Sequence, residues 1–403
     1  DSDAQGGGGV FNNGGQLDIT DTTIIDNEAL DPDAGATQDD GGGGLMNVGG
    51  TVTITNTQIS GNTATDGLGN GGGILTLGGS VAISGGTISC NSAARAGGGI
   101  ENNGGSLTQT DVTVGGSNAA DGNSAGINGG GVHVSGDGTT DVSGGTFQNN
   151  VAASEGGGLW NSSTGTMTID GTTVSANTAS GAMADNGGGG IFNDGGTLDV
   201  DNATIDSNEA NGTSGSGGGI LSVAGDVTID ATEIRFNSAN RAGGGIEIIA
   251  GTMTLSNNTN LTNNDVNGLG LSATDPNPGN GGGLHVTGDA DVTLNGGTVF
   301  GNEAASEGGG LWHSTTGTMT INGTTIEANF VESAGSDSDA QGGGGVFNNG
   351  GQLDISDATI IDNEALDPDA GATQDDGGGG LMNVGGTVTI TNTQISGNTA
   401  TDG

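Results

Sequence analysis

The spacing between two small landmarks constrains this chain more than any other feature. A Gly-Gly-Gly-aliphatic anchor recurs thirteen times, at Val10, Leu45, Ile74, Ile100, Val132, Leu159, Ile191, Ile220, Ile246, Leu284, Leu311, Val346 and Leu381. An asparagine follows each anchor after 17 or 18 residues. The interval from that asparagine to the next anchor instead runs from 9 to 20 residues. One part of every repeat is held to length, and one loop absorbs the variation. Stacked coils demand this, because their strands must register with the turns above and below, and only a loop off the stack is free to vary.

The fixed part reads as strand. A period-2 pair such as Leu17/Ile19, Val52/Ile54 or Met167/Ile169 lies seven to ten residues beyond the anchor, followed by an apolar-x-x-Asn such as Ile24 to Asn27. Alternation turns the anchors, the pairs and the last apolar residue inward. The asparagines Asn27, Asn62, Asn91, Asn150, Asn177, Asn208, Asn237, Asn264, Asn302, Asn329, Asn363 and Asn398 are expected to form a ladder, each amide bonding its neighbours. The fourth coil is irregular, with Ser117 at the expected place and Asn118 one residue late. The expected fold is all-β, a right-handed parallel β-helix solenoid of about thirteen coils with no separate globular domain. At about 4.8 Å per coil it makes a rod of roughly 60 Å.

Two longer repeats overlie the coil. Residues 1–67 return as 337–403 with two changes, Thr20 to Ser356 and Thr22 to Ala358, so the long period is 336 residues. Within it, Ser154 to Trp160 returns as Ser306 to Trp312, dividing the period into blocks of six and five coils. Residues 1–403 therefore read as one continuous β-helix, 1–336 being one copy and 337–403 the start of the next. Such near-identity points to recent tandem duplication within something longer.

Composition narrows the function classes. Glycine supplies 92 residues and proline only 4, without the three-residue period of collagen. Forty-seven acidic residues face three arginines, Arg95, Arg235 and Arg241, for a formal charge of −44. That charge argues against nucleic acid and against anionic membrane as partners. No stretch is long and apolar enough to span a bilayer, so no direct membrane insertion is expected of this segment. The single cysteine, Cys90, excludes an internal disulfide and is expected to be a small buried side chain.

The pattern G-G-G-I-x-N-x-G-G-x-L-T-I-x-x-x-T-I-x-x-N-x-A resembles the repeats of bacterial surface β-helix proteins. These are the polymorphic outer-membrane proteins and the large prokaryotic adhesins with pectate-lyase-like folds. The resemblance covers the whole chain. It implies secretion, display at the cell surface and an adhesive or structural role.

One row of residues is the first candidate site. The residue after each anchor is expected to point away from the core. Phe11, Glu101, His133, Trp160, Phe192, Glu247, His285, Trp312 and Phe347 lie in this row, with Met46, Leu75, Leu221 and Met382 between them. An outward aromatic stripe would serve lateral contact between copies, or stacking on the sugar rings of cell-surface glycans, unless a flanking loop folds over it or the coil corner turns these positions inward. Glu101 with His133, and Glu247 with His285, fall on successive coils, either as cross-strand pairs or as solvated neighbours of little energetic value. The acidic loops are the second candidate. Asp31, Asp33, Asp39 and Asp40, repeated as Asp367, Asp369, Asp375 and Asp376, either offer oxygen ligands for calcium or form simply solvated loops. No cofactor is required, and calcium is the one ion the sequence suggests.

These readings converge on a non-catalytic extracellular fibre or adhesin whose main partner is itself, through lateral or end-to-end contacts. The alternative is a polysaccharide-binding or polysaccharide-cleaving β-helix. An active site would need clustered carboxylates or a basic residue on one strand face. It would also be a unique break in the repeat, whereas every feature here returns. A flat ice- or mineral-binding face would need an unbroken outward threonine row, which the sequence lacks.

Overall fold

The computed structural model describes residues 6–30, 40–65, 67–266, 279–332, 342–367 and 377–402. Contacts divide the chain into two compact units, residues 1–180 with 189–199, and residues 181–188 with 200–403. Each is a parallel β-solenoid. The only helical piece among the described residues is one 3-10 turn, Ala119–Asp121.

One turn of the first unit shows the plan. Val132–Ser135 forms the anchor strand, Thr139–Ser143 and Thr146–Gln148 follow, and Val151–Ala152 closes the turn. Each strand pairs in parallel with its counterpart one turn on: Val132 with Leu159, Thr140 with Met167, Phe147 with Val174 and Ala152 with Ala179. The second unit repeats the arrangement, with Ile246 opposite Leu284 and Met253 opposite Val292. Inward positions of the middle strands are buried aliphatics, and the closing strand contributes a row of small residues such as Ala210 and Ala239. Outward positions carry Thr, Ser and Asp, as in Thr166–Asp170 and Asp226–Asp230.

The solenoid has about ten turns, fewer than the thirteen anchors suggest. All thirteen anchors begin strands of one parallel sheet. In the first turn Glu28 makes only an isolated bridge to Thr63 where later turns have a closing strand.

Left-handed backbone makes the corners. The residue before the ladder asparagine has φ of 53° at Ala176, 52° at Phe236 and 56° at Cys90. This corner turns Cys90 outward, so the thiol is exposed, contrary to the buried position expected of it.

Candidate functional site

The asparagine ladder is continuous within each unit. Asn150 Nδ2 donates to Asn177 Oδ1 at 2.9 Å and to the Val114 carbonyl at 3.0 Å. Its Oδ1 accepts from the backbone N–H and the Nδ2 of Asn123, at 3.1 and 2.8 Å. Both donors and both acceptor sites of the amide are used. The same set recurs in the second unit, where Asn237, Asn264, Asn302 and Asn329 each donate to the next Oδ1 at 2.9–3.0 Å. Only a planar group with two donors and one carbonyl fits this role.

The fourth rung is Asn123, not a residue near 118. Between Val114 and Asn123 the chain makes an excursion containing the 3-10 turn, and Asn118 only holds Asp121 at 2.8 Å on the surface. The insertion thus falls inside the segment whose length is fixed elsewhere.

The outward stripe is not outward. In Ile246–Ile248 all three residues are buried, Ile246 and Ile248 on one face and Glu247 on the other. Met46, Leu75, Glu101, His133, Trp160, Phe192, Leu221, Glu247, His285, Trp312 and Phe347 are all buried. Phe11 is half exposed and Met382 partly so. The glycine triplet supplies the cover. Gly129 and Gly308, each with φ near +60°, fold the chain back so that an added Cβ would lie 2.6 Å from His133 Cβ and 3.0 Å from Trp312 Cβ. The anchor sheet is therefore packed on both faces. Apart from Phe11 and Met382, the stripe is a second core layer.

Two equivalent stacks occupy this layer. In the first unit His133 Nδ1 lies 2.7 Å from Glu101 Oε2, and Ser135 Oγ donates to Glu101 Oε1 at 2.5 Å. The His133 ring stacks on Trp160 with centroids 4.2 Å apart, and Trp160 on Phe192 at 5.9 Å. Trp160 Nε1 donates to Glu155 at 3.1 Å. Burial raises the carboxyl of Asp194, an effect partly offset by His133.

In the second unit His285 stacks on Trp312 at 4.3 Å and Trp312 on Phe347 at 6.4 Å. An arginine is added here. Arg241 Nη2 donates to both oxygens of Glu247, at 2.5 and 2.6 Å, and His285 Nδ1 lies 3.1 Å from Glu247 Oε1. A carboxylate only accepts, so His285 Nδ1 carries the proton. Arg241 also donates to Ser216 Oγ at 2.8 Å and to the Ala184 carbonyl at 3.3 Å, pinning loop residues over the layer. Burial pushes the Glu247 carboxyl up, but Arg241 foremost and His285 outweigh it and hold it at about 2. Burial lowers His285, and its bond to Glu247 only partly restores it. Arg95, at the equivalent place in the first unit, reaches Asn70 Oδ1 at 3.4 Å.

A second amide row, missed in the sequence, lies two residues after the anchor. Asn12 donates to Asn47 at 2.9 Å, Asn161 to Asn193 at 2.9 Å, and Asn348 to Asn383 at 2.8 Å. His313 Nδ1 meets Asn348 Oδ1 at 2.8 Å, and burial lowers this histidine. The recurring I-x-N of the repeat was the available signal.

Of the calcium candidates, Asp31, Asp33, Asp39, Asp369, Asp375 and Asp376 lie outside the described residues. Asp40 is buried, its carbonyl accepting from Asn70 N–H at 2.9 Å, and Asp367 ends the strand Glu364–Asp367. Among the described residues no three His, Cys, Asp or Glu side chains gather as metal ligands. No described helix is long and apolar enough to cross a membrane.

The amides of the ladder and of the second row are bonded mainly to one another and to backbone carbonyls. No family model matches the chain, and no curated protein or solved structure matches it either.

Proposed function

We propose that this chain is part of a non-catalytic extracellular fibre or cell-surface adhesin built from tandem β-solenoid repeats. One observation carries the reading: the seam between copies of the 336-residue period is an ordinary turn junction. Val346–Asn348, the first strand of the second copy, pairs in register with Leu311–His313 of the first. Across the same seam Asn329 donates to Asn363 at 2.9 Å and Trp312 stacks on Phe347. Chains joined in this way lengthen by duplication with no new core to design, since stability is near-additive over repeats. The resemblance of the repeat motif to polymorphic outer-membrane proteins and large adhesins supports surface display. A surface with a formal charge of −44 keeps neighbouring copies apart.

The polysaccharide alternative loses its strongest support, because Trp160 and Trp312 are buried. Electron microscopy of native material, with antibody labelling of intact cells, tests the proposal. Labelled surface filaments are expected; compact particles, or label only inside broken cells, would overturn it. Incubation with acidic and neutral polysaccharides is expected to release no new reducing ends.

A further inference from the structure

Gln109 breaks an inward row of the first unit. Its counterparts one turn to either side are Ile83 and Val142, both buried and both in register with it. Gln109 is 1 % exposed, and neither its Oε1 nor its Nε2 has a hydrogen-bond partner. Among the described residues it is the one side chain with two buried polar atoms in this state. Each such group keeps the desolvation cost of burial with no bond to offset it.

Side-chain ties between turns are also missing around Gln109. Thr22 N–H donates to Thr57 Oγ1 at 3.4 Å, and Thr172 Oγ1 donates to the Gly144 carbonyl at 3.0 Å, each joining one turn to the next. Gly86, Val112 and Gly145 hold that column in the three turns between, and none carries a hydroxyl. Thr146 Oγ1, beside Gly145, is buried without a partner. The turn that holds Gln109 also holds the excursion before Asn123, whose 3-10 residues Ala119–Asp121 bury nothing.

We propose that the turn of residues 100–131 is a built-in opening point of the first unit, and that its opening releases the Arg95–Ala96 peptide bond to an arginine-specific protease. Repeat stability is a sum of local terms, so a deficit in one turn is not averaged over the others and local opening starts there. The bond that opening releases follows from the backbone pairing. The Arg95 carbonyl accepts from the N–H groups of Ile127 and Asn128 at 2.7 and 3.2 Å. Ala96, 1 % exposed, bridges in parallel to Asn128. Both partners belong to the opening turn, so the folded turn closes this bond and the opened turn frees it. The chain has no lysine and only three arginines, and Arg241 is buried. Hydrolysis adds water across the amide, leaving a carboxylate on Arg95 and an amine on Ala96.

Hydrogen exchange read by mass spectrometry on the full chain tests this, with trypsin under native conditions as a second readout. Amides of residues 106–115 should exchange about ten-fold or more faster than those of residues 166–175 in the same unit, and trypsin should cut after Arg95. Gln109→Leu keeps the size of the side chain and removes its polar atoms. It should slow exchange of residues 106–115 and cleavage after Arg95 by about ten-fold, and leave residues 166–175 unchanged. Far-UV circular dichroism checks folding, and Gln109→Met replaces Gln109→Leu should the latter lose its strand signal. Equal protection of the two segments in the wild type, no cleavage after Arg95, or a Gln109 variant that exchanges and is cut as the wild type is would each overturn the proposal. Slowing shared equally by both segments would also overturn it, because the unit would then open as a whole.

Discussion

Asn123 Nδ2 donates to Asn150 Oδ1 at 2.8 Å, so the rung between Asn91 and Asn150 is made by a residue 23 positions beyond its anchor instead of 17 or 18. The ladder tolerates the six-residue delay because the added chain bulges to the surface, tied to the neighbouring turns by Cys90 N–H donating to the Asp121 carbonyl at 3.0 Å and Asn149 Nδ2 to the Gly116 carbonyl at 2.6 Å, and returns before the asparagine. What the turn conserves is the position of the amide in space.

Asn150→Ala should therefore be costly. It removes the acceptor for two N–H groups of Asn123 and the donor to the Val114 carbonyl, all buried. With about 1–3 kcal/mol for each buried group left unsatisfied, a loss of roughly 3 kcal/mol or more is expected in denaturant melts. Asn150→Asp should also destabilise, because a carboxylate cannot donate to Asn177. Asn118→Ala, at the surface, should stay within about 0.5 kcal/mol.

Acid should weaken the second unit in two stages. His285 lies below its ordinary value of 6.5 because burial disfavours its cation, so its contribution is present above that pH and is lost as pH falls below it. Glu247, held at about 2 against an ordinary 4.5, contributes above pH 4.5, and that contribution is lost between 4.5 and 2. Glu247→Gln should remove the lower stage from a plot of melting temperature against pH. It should also cost about 3–5 kcal/mol at neutral pH, since it leaves the buried Arg241 without its counter-charge.

Asp265 behaves in the opposite sense. Burial first, then Glu303 and Glu332, raise its carboxyl to about 6. The folded chain holds this proton after the unfolded chain has released it near 3.8, so a penalty builds between pH 3.8 and 6 and is complete above. Asp265→Asn should raise the melting temperature at pH 7 and leave it nearly unchanged at pH 3.5. An equal rise at both pH values would contradict this account.

Trp312 is a core residue, which fluorescence can establish directly. Emission of the native chain should be blue-shifted and poorly quenched by iodide at both tryptophans, which are 9 % and 1 % exposed. Trp312→Ala should cost about 3–5 kcal/mol, as large-to-small core changes do. A red-shifted, readily quenched spectrum would mean that the layer is open.

The sequence by itself determined the solenoid. Strand positions, their parallel stacking and the ladder asparagines follow from a fixed 17- or 18-residue segment beside a loop of variable length, because registered strands admit no slack. It also located the pairs Glu101–His133 and Glu247–His285, since the residue after each anchor must stack on its counterpart one turn away. What the sequence left undecided was which side of the anchor sheet meets water. Strand alternation says only that Trp312 points opposite to Leu311; burial depends on whether remote chain returns to cover it. The folded-back Gly308, only four residues before Trp312, and the reach of Arg241 to Ser216 and Ala184, 25 and 57 residues away in the chain, settle that. The displaced rung at Asn123 and the outward turn of Cys90 have the same origin. Periodicity fixes the repeating part of each turn, and only the packed structure fixes where the irregular part goes.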